Sequence, residues 1–324
     1  MNMKILRFAL CLSLLLSSEV YADSINDYGP LKTYAQAPLL TNGLAPQIRS
    51  GFAMPLDTVE LYGTATAASI WARTEYYTLD YYQTQIAIGG KWQLTDTWQL
   101  EMGYRWNFAA NNYLDGLTIS FHDWFNIDQN GRTEVHKDRF VIDMPIYGIE
   151  ETNFKGSTLS QGIYSYLQYQ MYQTEHHAIS VGVTIHYSGF GSGLFYGSDW
   201  EQALQVNYGF HNGNHAIDAM ASITFRDSDT NFESLPYTDQ NWSFGASYRY
   251  QWFENHYLIA EAMFFQRVSE GEDQFGEMAS EVTLGYRYQL ENSAIEFSAN
   301  ENIINYDNST DIAFTLSWRY RFSG

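Results

Sequence analysis

From Ile312 to Phe322 every second residue is large and apolar: Ile312, Phe314, Leu316, Trp318, Tyr320 and Phe322. Ala313, Thr315, Ser317, Arg319 and Arg321 stand between them. A period of two predicts a strand with one apolar and one polar face. The same alternation begins at Val59 and predicts strands near 59–71, 81–94, 98–108, 160–173, 177–188, 200–210, 215–226, 242–252, 257–267, 278–290, 294–304 and 312–322. Short connections at 95–97, 174–176, 211–214, 253–256 and 291–293 alternate with longer ones at 72–80, 109–159, 189–199, 227–241, 268–277 and 305–311. Short inner turns and long outer loops are the pattern of a transmembrane barrel. The predicted fold is all-β: an antiparallel up-and-down barrel of about 12 strands spanning residues 59–324, with 109–159 as a long extracellular loop.

Hairpin geometry carries the prediction further. His211-Asn212-Gly213-Asn214 holds the Asn-Gly pair that favours a two-residue turn. A turn centred there pairs Tyr208 with Ile217, Val206 with Ala219 and Asn207 with Asp218. A three-residue loop at 95–97 sets Lys91 against Glu101, and a two-residue loop at Glu291-Asn292 sets Arg287 against Glu296. A loop centred on Asn255 sets Arg249 against Glu261, and Arg319, Arg321 and Glu60 meet where the last strand joins the first. All are on the inward face. Opposite charges paired across neighbouring strands predict a filled lower lumen and a narrow passage.

Two segments break the alternation. Met1–Ala22 has Lys4 and Arg7, the apolar run Phe8–Leu16 and Val20-Tyr21-Ala22, the pattern of a Sec-type signal cleaved after Ala22. It holds the only cysteine, Cys11, so the exported chain has no thiol for disulfides or catalysis. Residues 23–58 carry four of the six prolines, Pro30, Pro38, Pro46 and Pro55, and cannot supply a central strand. Their apolar residues Leu39, Leu40, Leu44, Ile48 and Phe52 leave two readings, a periplasmic tail or a plug in the barrel mouth.

Aromatic residues make up 17% of the chain, as expected where Trp and Tyr form girdles at both membrane interfaces. The formal charge is −20, and loss of the leader makes it one unit more negative. With no basic stripe, nucleic acid is not an expected partner. Outer-membrane lipid, lipopolysaccharide and the barrel assembly machinery are, in the outer membrane of a Gram-negative bacterium.

Candidate chemistry is sparse. In loop 109–159 the spacing predicts a short helix over Tyr113 to Phe125, with Leu114, Leu117, Phe121, Trp124 and Phe125 on one side and His122 and Asp123 on the other. His122 and Asp123 are candidates for a ligand, or for ordering the loop through Asn130 and Arg132. With His136 they lack metal-site spacing, so neither metal nor cofactor is expected. His186-Tyr187-Ser188 puts an imidazole and a hydroxyl on one strand face, as a nucleophile and its base require. Ile179, Val181, Val183, Ile185 and Tyr187 claim the lipid face, so His186 and Ser188 point inward with no orienting acid identifiable. His176-His177 falls at a turn and reads as a solvated pair.

Asp115-Gly116-Leu117, Phe121-His122-Asp123-Trp124-Phe125, Asn130-Gly131-Arg132, Ala37-Pro38-Leu39 and Gly43-Leu44 together resemble a family of proteobacterial outer-membrane β-barrels catalogued as domain of unknown function 3187. The resemblance runs from about residue 34 to the C-terminus. It implies a barrel and no assigned activity. The sequence departs from the family at His186-Tyr187-Ser188-Gly189, where a Pro-Thr-Gly-type strand end is expected. The expected function is a narrow channel, small-molecule binding or transport, or envelope structure. The alternatives are a lipid acyl hydrolase using Ser188 and His186, and a receptor or adhesin acting through the outer loops.

Overall fold

Strand β1 (Thr58–Arg73) pairs along one edge with β2 (Thr78–Gln93) and along the other with β14 (Ile312–Ser323), which closes the sheet into a barrel. The computed structural model describes residues 27–125, 129–189, 199–226, 237–271, 273–308 and 310–323. Met1–Ala22 lies outside them. Between β2 and β14 the ring continues through β3 (Trp98–Ala109), β6 (Thr158–Gln173), β7 (His177–Ser188), β8 (Asp199–Asn212), β9 (His215–Phe225), β10 (Gln240–Phe253), β11 (His256–Phe265), β12 (Ala279–Gln289) and β13 (Ser293–Glu301). Each strand is antiparallel to its neighbours, and the described ring has twelve strands. Two further strands were not legible in the 109–159 loop. β4 (Val141–Met144) and β5 (Ile149–Thr152) form a small hairpin on the upper end of β2.

The alternating apolar face is the outer one. Ile88, Trp92, Val183, Val206, Phe244, Tyr248, Leu284, Tyr286, Leu316 and Trp318 are exposed, and Ile86 and Val181 are half-buried. In lipid this belt is the solvated surface. An arginine at its middle therefore costs about 2–4 kcal/mol. Val183→Arg is expected to lower the urea stability of the vesicle-inserted barrel by that amount, and an unchanged midpoint would contradict the assigned face.

The predicted turn at Asn212-Gly213 is corrected by one position. Asn212 pairs with His215, leaving Gly213-Asn214 as the two-residue loop, with Gly213 at φ 57°. Glycine at the first central position suits a type II′ turn, and this backbone outcompetes the Asn-Gly alternative. The register moves by two, so Tyr208 faces Ala219, Val206 faces Ala221 and Asn207 faces Met220. An even shift leaves every side chain on its expected face.

Residues 28–52 thread the ring and are buried along most of their length, with a single helical turn at Pro38–Thr41. Their partners lie on β3, β6, β8, β11, β12, β13 and β14, all around the wall. No periodic pattern announces such a segment, because the wall satisfies it from every side and no pair of neighbouring strands does.

Candidate functional site

The inward-facing charges of the lower barrel converge on three carboxylates. Glu60 accepts from Arg319 Nη2 at 2.8 Å and Arg321 Nη2 at 2.7 Å, with Lys91 Nζ at 3.5 Å. Arg287 and Glu296 stand opposite in register, 2.7 Å apart, and Arg319 Nη1 reaches the same carboxylate at 3.1 Å. Glu101 accepts from Arg49 Nε at 3.0 Å, from Lys32 Nζ, and from the Tyr62 and Tyr164 hydroxyls at 3.0 and 2.8 Å.

Two expected pairs form differently. Lys91 does stand opposite Glu101, but its ammonium turns to Glu60, while the threaded segment's Lys32 and Arg49 occupy Glu101. Arg249 does not face Glu261. A two-residue turn at Glu254-Asn255 and a bulge between Gln251 and Phe253 put Ser247 opposite Glu261. Arg249 instead reaches Asp27 at 2.8 Å and Asp218 at 3.5 Å.

Around Glu60, Glu101 and Glu296 lie more cations than carboxylates, and the threaded segment and wall tyrosines supply the remaining partners. Arg321 sits 4.3 Å from the Tyr28 ring, Arg49 3.8 Å from Tyr166 and Lys32 4.2 Å from Tyr62. Aromatic faces attract such cations most strongly when water is excluded. The carbonyls of Gly29 and Pro30 accept from Arg287 at 2.7 and 3.1 Å.

Four wall carboxylates also hold the threaded backbone directly. Leu31 N–H donates to Glu261 at 2.8 Å, Lys32 N–H to Glu296 at 3.0 Å, Gln36 and Ala37 N–H to Glu281 at 2.8 and 2.9 Å, and Leu44 N–H to Glu201 at 2.5 Å. Wall amides do the converse, with Gln205 and Gln170 donating to the carbonyls of Gln47 and Gly51 at 2.9 Å each. At Gly51 the two backbones touch. A Cβ there would lie 2.4 Å from the Gly209 nitrogen, so only glycine fits. Glu201 and Glu281 were not singled out from sequence. Their signal was an inward-facing carboxylate, Glu201 opposite His186 and Glu281 opposite Met263.

His186 and Ser188 are buried, facing inward. His186 Nδ1 lies 3.2 Å from Glu201 Oε2, so the missing acid exists, on β8. That acid is shared with Arg226 Nε at 3.0 Å and with Leu44 N–H. The imidazole Nε2 packs over Gly162, where a Cβ would meet it at 2.6 Å. His176 and His177 are exposed at the turn between β6 and β7, where His177 Nδ1 lies 2.9 Å from the Tyr208 hydroxyl.

In the long loop a helix, α1 (Asp115–Phe125), forms as the spacing predicted, but its partners differ. Arg132 bonds Asp115 at 2.9 Å and also Asp311 and Ser69, not Asp123. Asp123 accepts from Gln129 Nε2 at 3.0 Å, Asn130 donates to Asp307 at 3.0 Å, and the His122 side chain lies outside the described residues. Burial opposes ionisation of Asp115, yet the Tyr82 hydroxyl, the Asp138 N–H and Arg132 outweigh it and hold its pKa below the ordinary value. The Asp115 contribution is therefore complete above the ordinary carboxylate range and is lost as pH falls through the lowered value. Acidification is expected to release exchange of the Arg132 and Glu134 amides before the barrel strands open. Hydrogen exchange at stepped pH checks it.

Among the described residues a cavity of about 250 Å³ opens beside Asp27, His211, Arg249 and Tyr257, one of about 50 Å³ lies among Tyr28, Arg49, Glu101 and Arg319, and one of about 20 Å³ lies between Leu31 and Glu261. Among the described residues no group of three or more His, Cys, Asp or Glu is placed to hold a metal ion.

Residues 8–322 match the model of a family described as "Protein of unknown function (DUF3187)". No curated protein matches. Among solved structures, an outer membrane channel from Pseudomonas putida F1 is similar at 12% identity, with 86% of this chain and 100% of that one covered and a TM-score of 0.52. The NanC porin aligns at 8% identity, over 81% of this chain and 98% of its own, with a TM-score of 0.46. The first likeness is one of fold.

Proposed function

The chain belongs to the DUF3187 family, and we propose that it is an outer-membrane barrel held shut by its own N-terminal segment, a narrow channel that passes small solutes only when that segment moves. Residues 1–22 then act as the export leader, and the barrel contacts outer-membrane lipid and lipopolysaccharide after insertion by the assembly machinery. One observation carries this reading. Glu261, Glu296, Glu281 and Glu201 bind five backbone N–H groups of the threaded segment, spread between Leu31 and Leu44. Such hydrogen bonds contribute about 0.5–1.5 kcal/mol each, and about 1.5–3 where the carboxylate is charged, more than a segment resting in the lumen by chance would have. They are also polar and local, so water can replace them one by one as the segment leaves.

Planar-bilayer recording of the full mature chain tests it. The expected result is a low conductance with rare openings. A steady conductance like that of a general porin would overturn the reading.

A further inference from the structure

In its described side chains, helix α1 is turned the opposite way from a helix on a water-soluble protein. Those fully buried are polar, Asp115 and Thr118, Ile119 is half-buried, and the large apolar residues Leu117 and Trp124 are exposed. Positions 117 and 124 are seven apart, so they form one stripe along the helix. Gly116, Ser120 and Asp123 make a second exposed flank, small and polar.

The helix base is fixed to the outside of the barrel wall. Ser69 is the register partner of both Tyr82 and Ile312, and Trp71 that of Asp80, so all five share one face. That face is the outer one, since Leu61, Ile88 and Leu316, at even spacing along the same strands, are exposed. Near the top of the wall these outward side chains are nevertheless covered. Tyr82 donates to Asp115, Arg132 reaches Ser69, the Trp71 indole donates to the Asn130 carbonyl at 3.3 Å, and Arg139 lies 3.4 Å from Asp80. The 109–159 segment thus folds in part over the outer wall.

The height of this contact is set by β2. From the exposed Trp92 up to Tyr82 the strand rises by about 25 Å at the usual tilt, the height of the apolar band of such barrels. Below Tyr82 the outward side chains are exposed or half-buried. At Tyr82 and above they meet Asp115, Arg132, Asp80 and Arg139, charges that hydrocarbon would not tolerate. Helix α1 therefore starts at the upper edge of the lipid belt and continues that belt's apolar surface outward.

We propose that α1 is an interfacial helix, lying in the outer leaflet with Leu117 and Trp124 at the boundary of headgroups and acyl chains. Its partner is the lipid of the leaflet, which meets the apolar stripe while the Ser120 and Asp123 flank stays in water. A tryptophan at that depth has its ring in the apolar layer and its N–H among the headgroups. The proposal rests on the reading of the chain as an outer-membrane barrel.

Because Cys11 lies in the leader, each single-cysteine variant carries one spin label in the mature protein. Leu117→Cys, Trp124→Cys, Asp123→Cys and, as a control on the belt, Leu316→Cys are inserted into phosphatidylethanolamine–phosphatidylglycerol vesicles. Accessibility to oxygen, which concentrates in lipid, is compared with accessibility to a water-soluble nickel complex. Labels at 117 and 124 are expected to favour oxygen at a shallower depth than 316, and the label at 123 to favour nickel. If 316 favours nickel, the membrane reading itself fails. If 316 favours oxygen while 117 and 124 favour nickel as 123 does, the helix stands in water and the proposal is overturned. Labels at 117 and 124 closed to both reagents, or broadened by a label on a second copy, would mean that protein covers the stripe, and would overturn it equally.

Discussion

Removing residues 28–52 is expected to turn a closed barrel into a conducting one. The threaded segment fills the ring with Tyr28, Leu31, Tyr34, Leu39, Leu40 and Phe52, all buried. Without it, the wall charges that it partners at Glu101, Glu201, Glu261, Glu281 and Glu296 become hydrated and no longer need those bonds. Water entering the lumen is thus what lets the emptied ring survive. A point variant should give a graded version. Glu281→Ala deletes the acceptor for Gln36 and Ala37 N–H, two buried bonds worth about 1–3 kcal/mol together. That shifts the balance of closed and open forms by roughly one to two orders of magnitude. The opposite variant locks the barrel. A Cβ at Gly245 would lie 2.8 Å from Ile48 Cγ1, so Ile48→Cys with Gly245→Cys brings two Cβ atoms into disulfide range. Openings should vanish on oxidation and return on reduction. A folded deletion variant with the conductance of the full chain would refute the gate, as would an oxidised tether that leaves openings unchanged.

The ring was legible because lipid on one side and polar contacts on the other impose a period of two on every strand. Arg287 opposite Glu296 followed from the Glu291-Asn292 turn alone, since a two-residue loop leaves no freedom in register. The turn after Phe210 was harder. Asn212-Gly213 and Gly213-Asn214 are both acceptable turn centres, and the two differ only by an even slip that the apolar pattern cannot detect. At Arg249 the signal failed for a similar reason, as a bulge adds a residue without disturbing the faces on either side.

The partners of the lumen charges were beyond the sequence. Lys91 and Glu101 could be set opposite one another, but Lys32 and Arg49 arrive from a segment with no periodicity to place it. The same holds for His186. Its orienting acid, Glu201, lies one strand away, and the cation beyond it, Arg226, lies on the next. The helix of the outer loop was legible from its spacing, but the side it turns to the protein was not: among its described side chains Asp115 and Thr118 are buried while Leu117 and Trp124 are exposed.

Glu60→Ala is expected to cause the largest loss of stability of any single lumen change. The carboxylate is fully buried on β1, and its two oxygens take Arg319 and Arg321 of β14 on one side and Lys91 of β2 on the other. It thus ties three consecutive strands at the seam where the first meets the last. Truncation leaves three cations facing one another with their acceptor gone. Arg319 keeps Glu296 and the Pro30 carbonyl, and Arg321 keeps the Tyr28 ring, but among the described residues Lys91 has no other carboxylate within ion-pair distance. Removing one partner of a buried ion pair costs about 3–5 kcal/mol, most of it the charge left behind. Urea unfolding in vesicles, or the temperature at which the folded form shifts on a gel, should register that loss. Adding Arg321→Ala should recover part of it, because the like-charge contact goes with the arginine. If water were already screening the seam, Glu60→Ala would cost no more than an exposed pair, about 0–1 kcal/mol, and the double change would recover nothing. That outcome would mean an open, hydrated lower lumen, and would remove the physical basis for a barrel closed from within.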